Sequence, residues 1–418
     1  MEGDWGRRGL PTASPDRLNG ILEAAQSAPE GIAALTAATH QADPDILILG
    51  GGLMGLAIAH QLARRGLGVR VLSRRRSEAA GFVAAGMLAP HAEGLSGPLL
   101  KLGQRSLELV PSWVAQVEAD SGLGCGHRPS GIVVPFRSAS ARDAFPTARF
   151  GLALERLELE QEIPGIDPQW SCGLLFEQDG QIDNRRQLMR ALERACTGAG
   201  VQFEEGAEVR ELHHEQQQLQ AVTLERADGD QHQLSCRAAV LCSGAWSSQL
   251  LPELPIFPVK GQMLSLQAPR HALRRVLFGP GTYLVPRHDG LVVVGATSEQ
   301  AAGFNEGLTP EGQKQLQAGI ASLLPEASGW PPMERWWGFR PCTPDEGPLL
   351  GASPIAGLWL ACGHHRNGVL LAAITAQLLA ASISAEPLSS SDAALLEAFH
   401  CSRFAIKKPP EATSGGAA

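Results

Sequence analysis

The stretch DILILGGGLMGLAIAHQLARRGLGVRVLSRRR, residues 45–76, decides the fold of the surrounding chain. Its apolar run Ile46–Leu49 is too short for a helix and is typical of a buried parallel strand. Helix-forming residues follow from Leu53 to Arg65, and Gly66 stands where a helix commonly ends. Val69–Leu72 then predicts a second strand. The stretch therefore predicts a strand–helix–strand unit.

Three glycines between the first strand and the helix point to the ligand of this unit. Gly50, Gly52 and Gly55 form the pattern G-x-G-x-x-G. Such glycines permit a tight turn, close approach of the backbone to a pyrophosphate, and close contact of helix with strand. The phosphates bind at the helix N-terminus, where unpaired N–H groups and the helix dipole favour an anion. Because both strands and the helix fall where the pattern requires them, we predict a dinucleotide site here.

The end of the second strand leaves the identity of the dinucleotide open. An Asp or Glu about 20 residues further on usually accepts hydrogen bonds from the adenosine ribose. This chain instead has Ser73, followed by Arg74, Arg75 and Arg76. A serine can bond a ribose hydroxyl, whereas an arginine cluster would suit the 2′-phosphate of NADP. On these residues alone FAD, NAD and NADP all fit.

The composition argues against several classes of partner. The net charge of −8 over 418 residues gives no reason to expect nucleic acid or an anionic membrane. The eight cysteines show no C-x-x-C, and the adjacent pairs His213-His214 and His364-His365 cannot place two ligands on one helix face. We therefore predict no metal site. With no secretory signal and no long uncharged apolar stretch, we expect a cytoplasmic protein without a membrane span.

Later strands differ in kind from the first. Residues 256–300 show an alternating pattern overall, and we interpret the runs 262–266, 283–286 and 291–294 within them as antiparallel strands. A chain of this length can bury more than one core. We therefore predict an α/β protein (α+β overall) in which a Rossmann-like domain is combined with a second, largely antiparallel-sheet domain.

Two further segments have the composition of ligand contacts. Residues 84–90, AAGMLAP, are mostly small and would let the backbone lie against a flat ring, although a tightly packed helix explains them equally well. Residues 360–372, LACGHHRNGVLLA, run from a strand through glycine into a helix. That order predicts a second helix N-terminus directed at a phosphate or a flavin.

Taken together, these stretches resemble the superfamily of FAD-dependent D-amino acid and sarcosine oxidases, and within it the glycine oxidases of the thiamine pathway. The resemblance covers roughly residues 43–405. Its motifs are individually modest and jointly specific. They are GGGLMG (50–55), AAGMLAP (84–90), CSGAWS (242–247), PVKGQML (258–264), YLVPRHDG (283–290), VVGAT (293–297), GFRPCTPDEGPLLG (338–351) and LACGHHRNGVLLA (360–372).

The resemblance implies an FAD-binding domain interleaved along the chain with a substrate-binding domain. The FAD-binding domain would comprise residues 43–120, 175–255 and 335–385, and the substrate-binding domain residues 121–174 and 256–334. Residues 1–42 would form a partly disordered extension, and residues 386–418 a helix followed by a disordered tail.

The resemblance also implies which residues contact FAD. They are Gly50, Gly52, Leu53, Met54 and Gly55 at the pyrophosphate, Ser73 and Arg74 at the ribose, Val209 on the adenine side, Ala85, Gly86 and Met87 along the isoalloxazine, and His364, His365, Arg366, Asn367, Gly368, Val369 and Leu370 as a cap over the flavin. Sarcosine oxidases attach their flavin to a cysteine, and the matching position here is Gly338. We therefore expect FAD to be bound non-covalently.

Three side chains are candidates for binding and orienting an amino acid substrate. An arginine holds a carboxylate best, through two parallel hydrogen bonds in a fixed geometry. By resemblance Arg340 is that arginine, Tyr283 adds its hydroxyl to the same carboxylate, and Arg366 lines the substrate side. Ser298 lies where relatives line the pocket, and its small size fits glycine without requiring it.

The leading hypothesis is therefore an FAD-dependent oxidase. It would oxidise glycine, and also sarcosine or small D-amino acids, with oxygen as acceptor, in service of thiamine thiazole synthesis. Two alternatives stay open: an amino acid dehydrogenase that passes electrons to a quinone, and an NADP-binding reductase suggested by Ser73 and Arg74. The resemblance further suggests a homotetramer or homodimer.

Overall fold

A computed structural model describes residues 44–404 of the protein. The extension predicted over residues 1–42 and the last part of the segment 386–418, residues 405–418, lie outside the described residues.

Strands and helices are numbered separately in chain order. The strands are β1 (Ile46–Leu49), β2 (Val69–Ser73), β3 (Met87–Leu88), β4 (Ile132–Phe136), β5 (Leu152–Glu155), β6 (Cys172–Phe176), β7 (Gly180–Gln181), β8 (Gln202–Glu205), β9 (Ala207–Glu215), β10 (Gln218–Arg226), β11 (Gln231–Ser235), β12 (Ala239–Leu241), β13 (Phe257–Gln267), β14 (Val276–Gly279), β15 (Thr282–Pro286), β16 (Leu291–Gly295), β17 (Pro332–Cys342), β18 (Leu349–Ala352) and β19 (Leu358–Cys362). The helices are α1 (Leu53–Arg64), α2 (Gly97–Ser121), α3 (Ala139–Asp143), α4 (Arg156–Glu162), α5 (Met189–Gly198), α6 (Ser247–Leu250), α7 (Pro310–Leu323), α8 (Gly368–Ile383) and α9 (Ser390–Ala398).

The predicted strand–helix–strand unit lies at the centre of a six-stranded sheet. Its strand order is β18-β19-β12-β1-β2-β8, and every neighbouring pair is parallel except β18 with β19. The glycine turn after β1 thus opens at the carboxyl edge of the sheet, where parallel sheets with helical crossovers bind their ligands.

Alternate residues of β1 explain how this sheet is buried on both faces. Ile46 and Ile48 pack into a core formed with α1, α2, α5 and α8. Leu47 and Leu49 point the other way, into a core shared with the antiparallel sheet β11-β10-β9. Because both faces are covered, the strand reads as a continuous apolar run rather than an alternating one.

The second large sheet has eight strands in the order β17-β13-β16-β15-β14-β4-β6-β5. Its pairs are antiparallel apart from β14 with β4. One face carries Leu284, Val292 and Val294 and packs against α7 and neighbouring segments. The opposite face carries Tyr283 and Val285 and packs against the segment around Ala85. The antiparallel sheet predicted from alternation therefore forms one wall of the region that holds the small-residue segment.

The mixed α/β fold confirms the predicted fold class. The division into domains stays a prediction, and two of its boundaries fall inside strands of the eight-stranded sheet. The boundary after residue 174 cuts β6, and the boundary before residue 335 cuts β17. The segment 84–90 is not the packed helix that was the alternative interpretation, since it contains the short strand β3.

One segment among the described residues, His365–Ile383, is long and apolar enough to cross a membrane by composition alone. It comprises α8 and the turn before it. In this fold 78% of an 18-residue apolar stretch of this segment is buried, and α8 packs against α1 and α2. Its apolar character is accounted for by its position as a core helix.

Candidate active site

A cavity of about 670 Å³ runs between the two large sheets. Its walls come from segments that are far apart in sequence. They are the glycine turn after β1, the end of β2, residues 83–87, the backbone around Val209, β15, β17 and the turn before α8. A single elongated site thus joins the predicted pyrophosphate end to the predicted flavin and substrate ends.

The pyrophosphate end is a turn that only glycine can form. Gly50 has φ +127°, and a side chain there would lie 2.5 Å from the carbonyl oxygen of Cys242. A Cβ at Gly55 would lie 1.9 Å from the carbonyl oxygen of Gly50, so this glycine allows α1 to approach the turn. The first turn of α1 has no side-chain cap and no acidic residue. Its N–H groups are therefore free to bind an anion.

At the ribose end of the cavity the three clustered arginines are paired with carboxylates, so their presence does not require a 2′-phosphate. Ser73 ends β2, is 8% exposed and lines the cavity. Arg74 pairs with Glu78 and Glu208, and lies 5.1 Å from the ring centre of Trp246. The two following arginines are paired as well, Arg75 with Glu78 and Arg76 with Glu193 and Glu205. Because all three charges have carboxylate partners, this end of the cavity has no surplus positive charge for a phosphate.

The segment 85–87 is held against the cavity by a buried arginine that the sequence did not single out. Gly86 has φ +78°, and a Cβ there would lie 2.0 Å from the carbonyl oxygen of Ile182. Arg287 donates hydrogen bonds to the carbonyl oxygens of Ala85 and Ile182. Burial lowers the pKa of Arg287 to about 10, which still leaves it charged at neutral pH. The backbone of this segment is therefore fixed from behind, and its other side faces the cavity.

The turn before α8 closes the cavity from the opposite wall. His364 is 3% exposed and shares a hydrogen bond of 3.0 Å with Thr375. Burial lowers the pKa values of His364 and His365 to about 3, so both rings are neutral. Gly368 and Val369 at the start of α8 also line the cavity.

Arg340 and Tyr283 meet at the substrate end. The Arg340 guanidinium donates to the carbonyl oxygen of Thr297 at 3.1 Å and, among the described residues, forms no ion pair with a carboxylate. Burial raises the pKa of the Tyr283 hydroxyl, an effect that the positive charge of Arg340 opposes. Tyr283 is therefore a neutral donor beside a cation whose charge is unpaired.

Two glycines from the motifs PVKGQML and VVGAT make room for these side chains. A Cβ at Gly261 would lie 2.3 Å from a terminal nitrogen of Arg340. A Cβ at Gly295 would lie 2.3 Å from the hydroxyl oxygen of Tyr283. The glycines of PVKGQML and VVGAT thus serve the substrate end and not a turn.

Arg366 lies on the same side of the cavity, but its charge is already paired. Its side chain is 46% exposed and contacts Glu93 at 3.6 Å and Glu346 at 3.3 Å. Glu93 is a lining residue that the sequence reasoning missed. Its side chain is 6% exposed, and one carboxylate oxygen has no hydrogen-bond partner among the described residues. Burial raises the pKa of Glu93 to about 7, against the charges of Arg366 and Arg340.

The structure brings most of the predicted site residues to this one cavity. The lining includes Gly50, Gly52, Leu53, Met54, Ser73, Arg74, Ala85, Gly86, Met87, Val209, Tyr283, Arg340, His364, His365, Arg366, Gly368 and Val369. Gly55, Asn367 and Leu370 do not line it: Gly55 acts through packing, Asn367 is 3% exposed in the turn, and Leu370 belongs to the core below the sheet.

The residues present fit FAD. The glycine turn offers uncapped N–H groups to a pyrophosphate, Ser73 offers a hydroxyl to a ribose, and the segment at Gly86 offers backbone to a flat ring. The cavity has one continuous volume for all three parts. Fold and site together define a flavin-dependent oxidoreductase.

Comparison with known proteins gives the family. The family model described as DAO, FAD dependent oxidoreductase, matches residues 45–382, and the chain belongs to this family. It is 41% identical over 382 residues to the bifunctional protein ThiO/ThiG of Synechocystis sp. (strain ATCC 27184 / PCC 6803 / Kazusa), covering 90% of this chain and 56% of that protein. It therefore spans about half the length of the ThiO/ThiG relatives.

Shorter relatives match along most of their length. The chain is 30% identical over 363 residues to the glycine oxidase of Geobacillus kaustophilus (strain HTA426), covering 80% of this chain and 92% of that protein. The crystal structure of glycine oxidase from Geobacillus kaustophilus superposes with a TM-score of 0.76 at 27% identity, covering 88% of this chain and 99% of that chain. The cofactor is FAD, and the hypothesis of an NADP-binding reductase is set aside.

Proposed function

We propose that the protein oxidises glycine to glyoxylate and ammonia, with oxygen as acceptor. In balanced form, glycine, O₂ and water give glyoxylate, ammonia and hydrogen peroxide. The observation that carries the proposal is the guanidinium of Arg340, which has no ion-pair partner among residues 44–404, beside the neutral hydroxyl of Tyr283 inside a flavin-sized cavity. The relatives named glycine oxidase support the choice of substrate.

The residues of the chain would bind and orient the substrate. Arg340 would hold the carboxylate through two parallel hydrogen bonds, and Tyr283 would donate a third. A carboxylate fixed in this way positions the α-carbon of a small amino acid, and the position of the reacting atoms is a major part of catalysis. FAD held in the cavity would supply the redox chemistry, as the hydride acceptor for that carbon.

The flavin would be bound without a covalent bond. By the resemblance, the position at which sarcosine oxidases carry their flavin-linked cysteine is about Gly338 in this chain. Two cysteines do line the cavity, Cys242 and Cys362, and burial raises the pKa of both thiols, that of Cys362 to about 12. Since the thiolate is the reactive form, these side chains are poor nucleophiles.

The place of the reaction in metabolism rests on the relatives. The ThiO/ThiG proteins support a role in thiamine thiazole synthesis. A cytoplasmic location and assembly into a homodimer or homotetramer stay predictions from the sequence. The alternative acceptor, a quinone, stays a second hypothesis for the same site.

A substrate panel under air tests the proposal. The purified holoenzyme is mixed with glycine, sarcosine, D-alanine and L-alanine, and peroxide and the oxidation state of the flavin are followed together. We expect glycine to reduce the flavin and to yield one peroxide per glyoxylate. Flavin reduction without peroxide, reversed by a quinone but not by air, would establish the dehydrogenase instead. Absence of flavin reduction by every amine in the panel would refute both.

A further inference from the structure

The substrate end contains two arginines, and their surroundings differ. The guanidinium of Arg340 has a backbone carbonyl as its hydrogen-bond partner and, within residues 44–404, no carboxylate in ion-pair contact. Arg366 has two carboxylates, the buried Glu93 at 3.6 Å and the exposed Glu346 at 3.3 Å. A substrate that enters this end therefore meets one unpaired positive charge and one that is already compensated.

Of the two carboxylates beside Arg366, Glu93 has the stronger influence. Glu346 is 53% exposed, so water and salt screen its interaction with the arginine. Glu93 is 6% exposed and lines the cavity, where the effective dielectric constant is lower. Its oxygen Oε2 has no hydrogen-bond partner among the described residues, and its charge is stabilised chiefly by Arg366, with a smaller contribution from Arg340.

The backbone around Glu93 keeps this carboxylate in place. Asp179 is fully buried and accepts hydrogen bonds from the backbone N–H groups of His91 and Ala92. The same aspartate contacts the His91 ring at 2.6 Å. The N–H of Glu93 itself donates to the carbonyl oxygen of Ala89 at 3.0 Å. The backbone of this turn therefore holds the Glu93 side chain on the side of the cavity where it contacts Arg366.

We propose that Glu93 is a specificity-determining residue, which limits the substrate to one anionic group by neutralising Arg366. Amino acids with a single carboxylate bind through Arg340. An amine that carries two carboxylates would place the second one near Arg366, where the negative charge of Glu93 opposes it. The inference rests on the proposed oxidation of a small amino acid at this site.

Removing the charge of Glu93 should therefore admit a second carboxylate. The substitution Glu93→Gln preserves shape and leaves Arg366 positively charged and unpaired on its buried side. The assay compares kcat/KM for iminodiacetate with kcat/KM for glycine in the holoenzyme at pH 8.5, where Glu93 is ionised. Since a hydrogen-bonded arginine–carboxylate pair is worth at least a tenfold change in binding, we expect the ratio to rise about tenfold or more.

Three further variants show whether the rise in the ratio of iminodiacetate to glycine kcat/KM depends on Arg366. The exposed partner gives the matched control, because Glu346→Gln should change the ratio less than about threefold. In the double variant E93Q/R366M the rise should disappear. Glu93→Asp keeps the charge but withdraws it from Arg366, so it should raise the ratio by less than E93Q and serves as the test variant if E93Q does not bind FAD.

A second readout separates this inference from the proposed function. The dissociation constants of acetate and malonate are measured from the change they cause in the flavin absorbance of each variant. E93Q should strengthen malonate binding relative to acetate about tenfold. An unchanged ratio in a flavin-loaded E93Q or E93D, or a rise that persists with R366M, would overturn the inference. Wild-type enzyme that does not oxidise glycine would refute the proposed function, while the acetate and malonate titration would still test Glu93.

Discussion

The substitution Arg340→Met is the most informative perturbation of the substrate end. It replaces the guanidinium by an apolar side chain of similar length and removes the one arginine of the cavity whose charge is unpaired among the described residues. In the protein alone the loss is small, because a single hydrogen bond to the carbonyl oxygen of Thr297 disappears, worth about 1 kcal/mol. The variant should therefore fold and bind FAD.

The loss for the substrate should be much larger. Two charge-assisted hydrogen bonds to a carboxylate are worth about 1.5–3 kcal/mol each. Because Arg340 is half-buried, the lower value applies, and the two bonds together contribute about 3 kcal/mol. We therefore expect kcat/KM for glycine to fall by a factor of about 10².

Steady-state kinetics with glycine, together with acetate binding measured from the flavin absorbance, check this expectation. Arg340→Lys is the control: it keeps the charge but not the paired geometry and should lose less, about tenfold. If Arg340→Met kept kcat/KM within threefold of wild type while fully loaded with flavin, the assignment of Arg340 as the carboxylate-binding residue would be wrong.

Three more outcomes follow from the same cavity. Glu93→Gln should stabilise the protein increasingly as the pH rises from about 4.5 to about 7, because the pKa of Glu93 is raised in the folded state and its ionised form therefore destabilises the fold. The gain in the free energy of unfolding should reach about 3 kcal/mol by pH 8 and vanish below pH 4.5. Urea titrations of both proteins at pH 5 and pH 8 measure this difference. Tyr283→Phe should raise KM for glycine about tenfold with unchanged flavin content, and an unchanged KM would remove its hydroxyl from the site. Gly261→Ala should displace the flexible end of Arg340 and raise KM without lowering the melting temperature, whereas Gly329→Ala, where a Cβ meets no atom within 4 Å, should change neither; equal effects of the two would contradict the packing role of Gly261.

The cofactor end could be predicted from sequence because its determinants are local. Gly50 and Gly55 act on each other across a turn of a few residues, and the strands on either side are adjacent in sequence. Strands β15 and β16 were predicted from equally local runs of sequence, and the prediction that they are antiparallel is correct. The arginines after Ser73 are visible in the sequence, but most of their carboxylate partners are not, because Glu193, Glu205 and Glu208 come from distant segments.

The charge balance of the substrate end could not be predicted for the same reason. Glu93 and Arg366 are more than 270 residues apart in the sequence. Only folding brings the Arg366 Nε within 3.6 Å of the Glu93 Oε2. Arg340 and Arg366 look equivalent in sequence, but within residues 44–404 only Arg366 has carboxylates in ion-pair contact. The sequence did offer one indication that Glu93 belongs to the site: it is an acidic residue three positions after the uncharged segment AAGMLAP, which was predicted to contact the flavin.

Anaerobic titration of the purified holoenzyme with glycine tests the central claim most directly. The flavin absorbance is followed without oxygen, so that the result does not depend on the electron acceptor. The proposed function predicts that glycine bleaches the flavin completely with one glyoxylate formed per FAD, and that Arg340→Met requires far more glycine for the same rate. A flavin that dithionite reduces but glycine does not would contradict it.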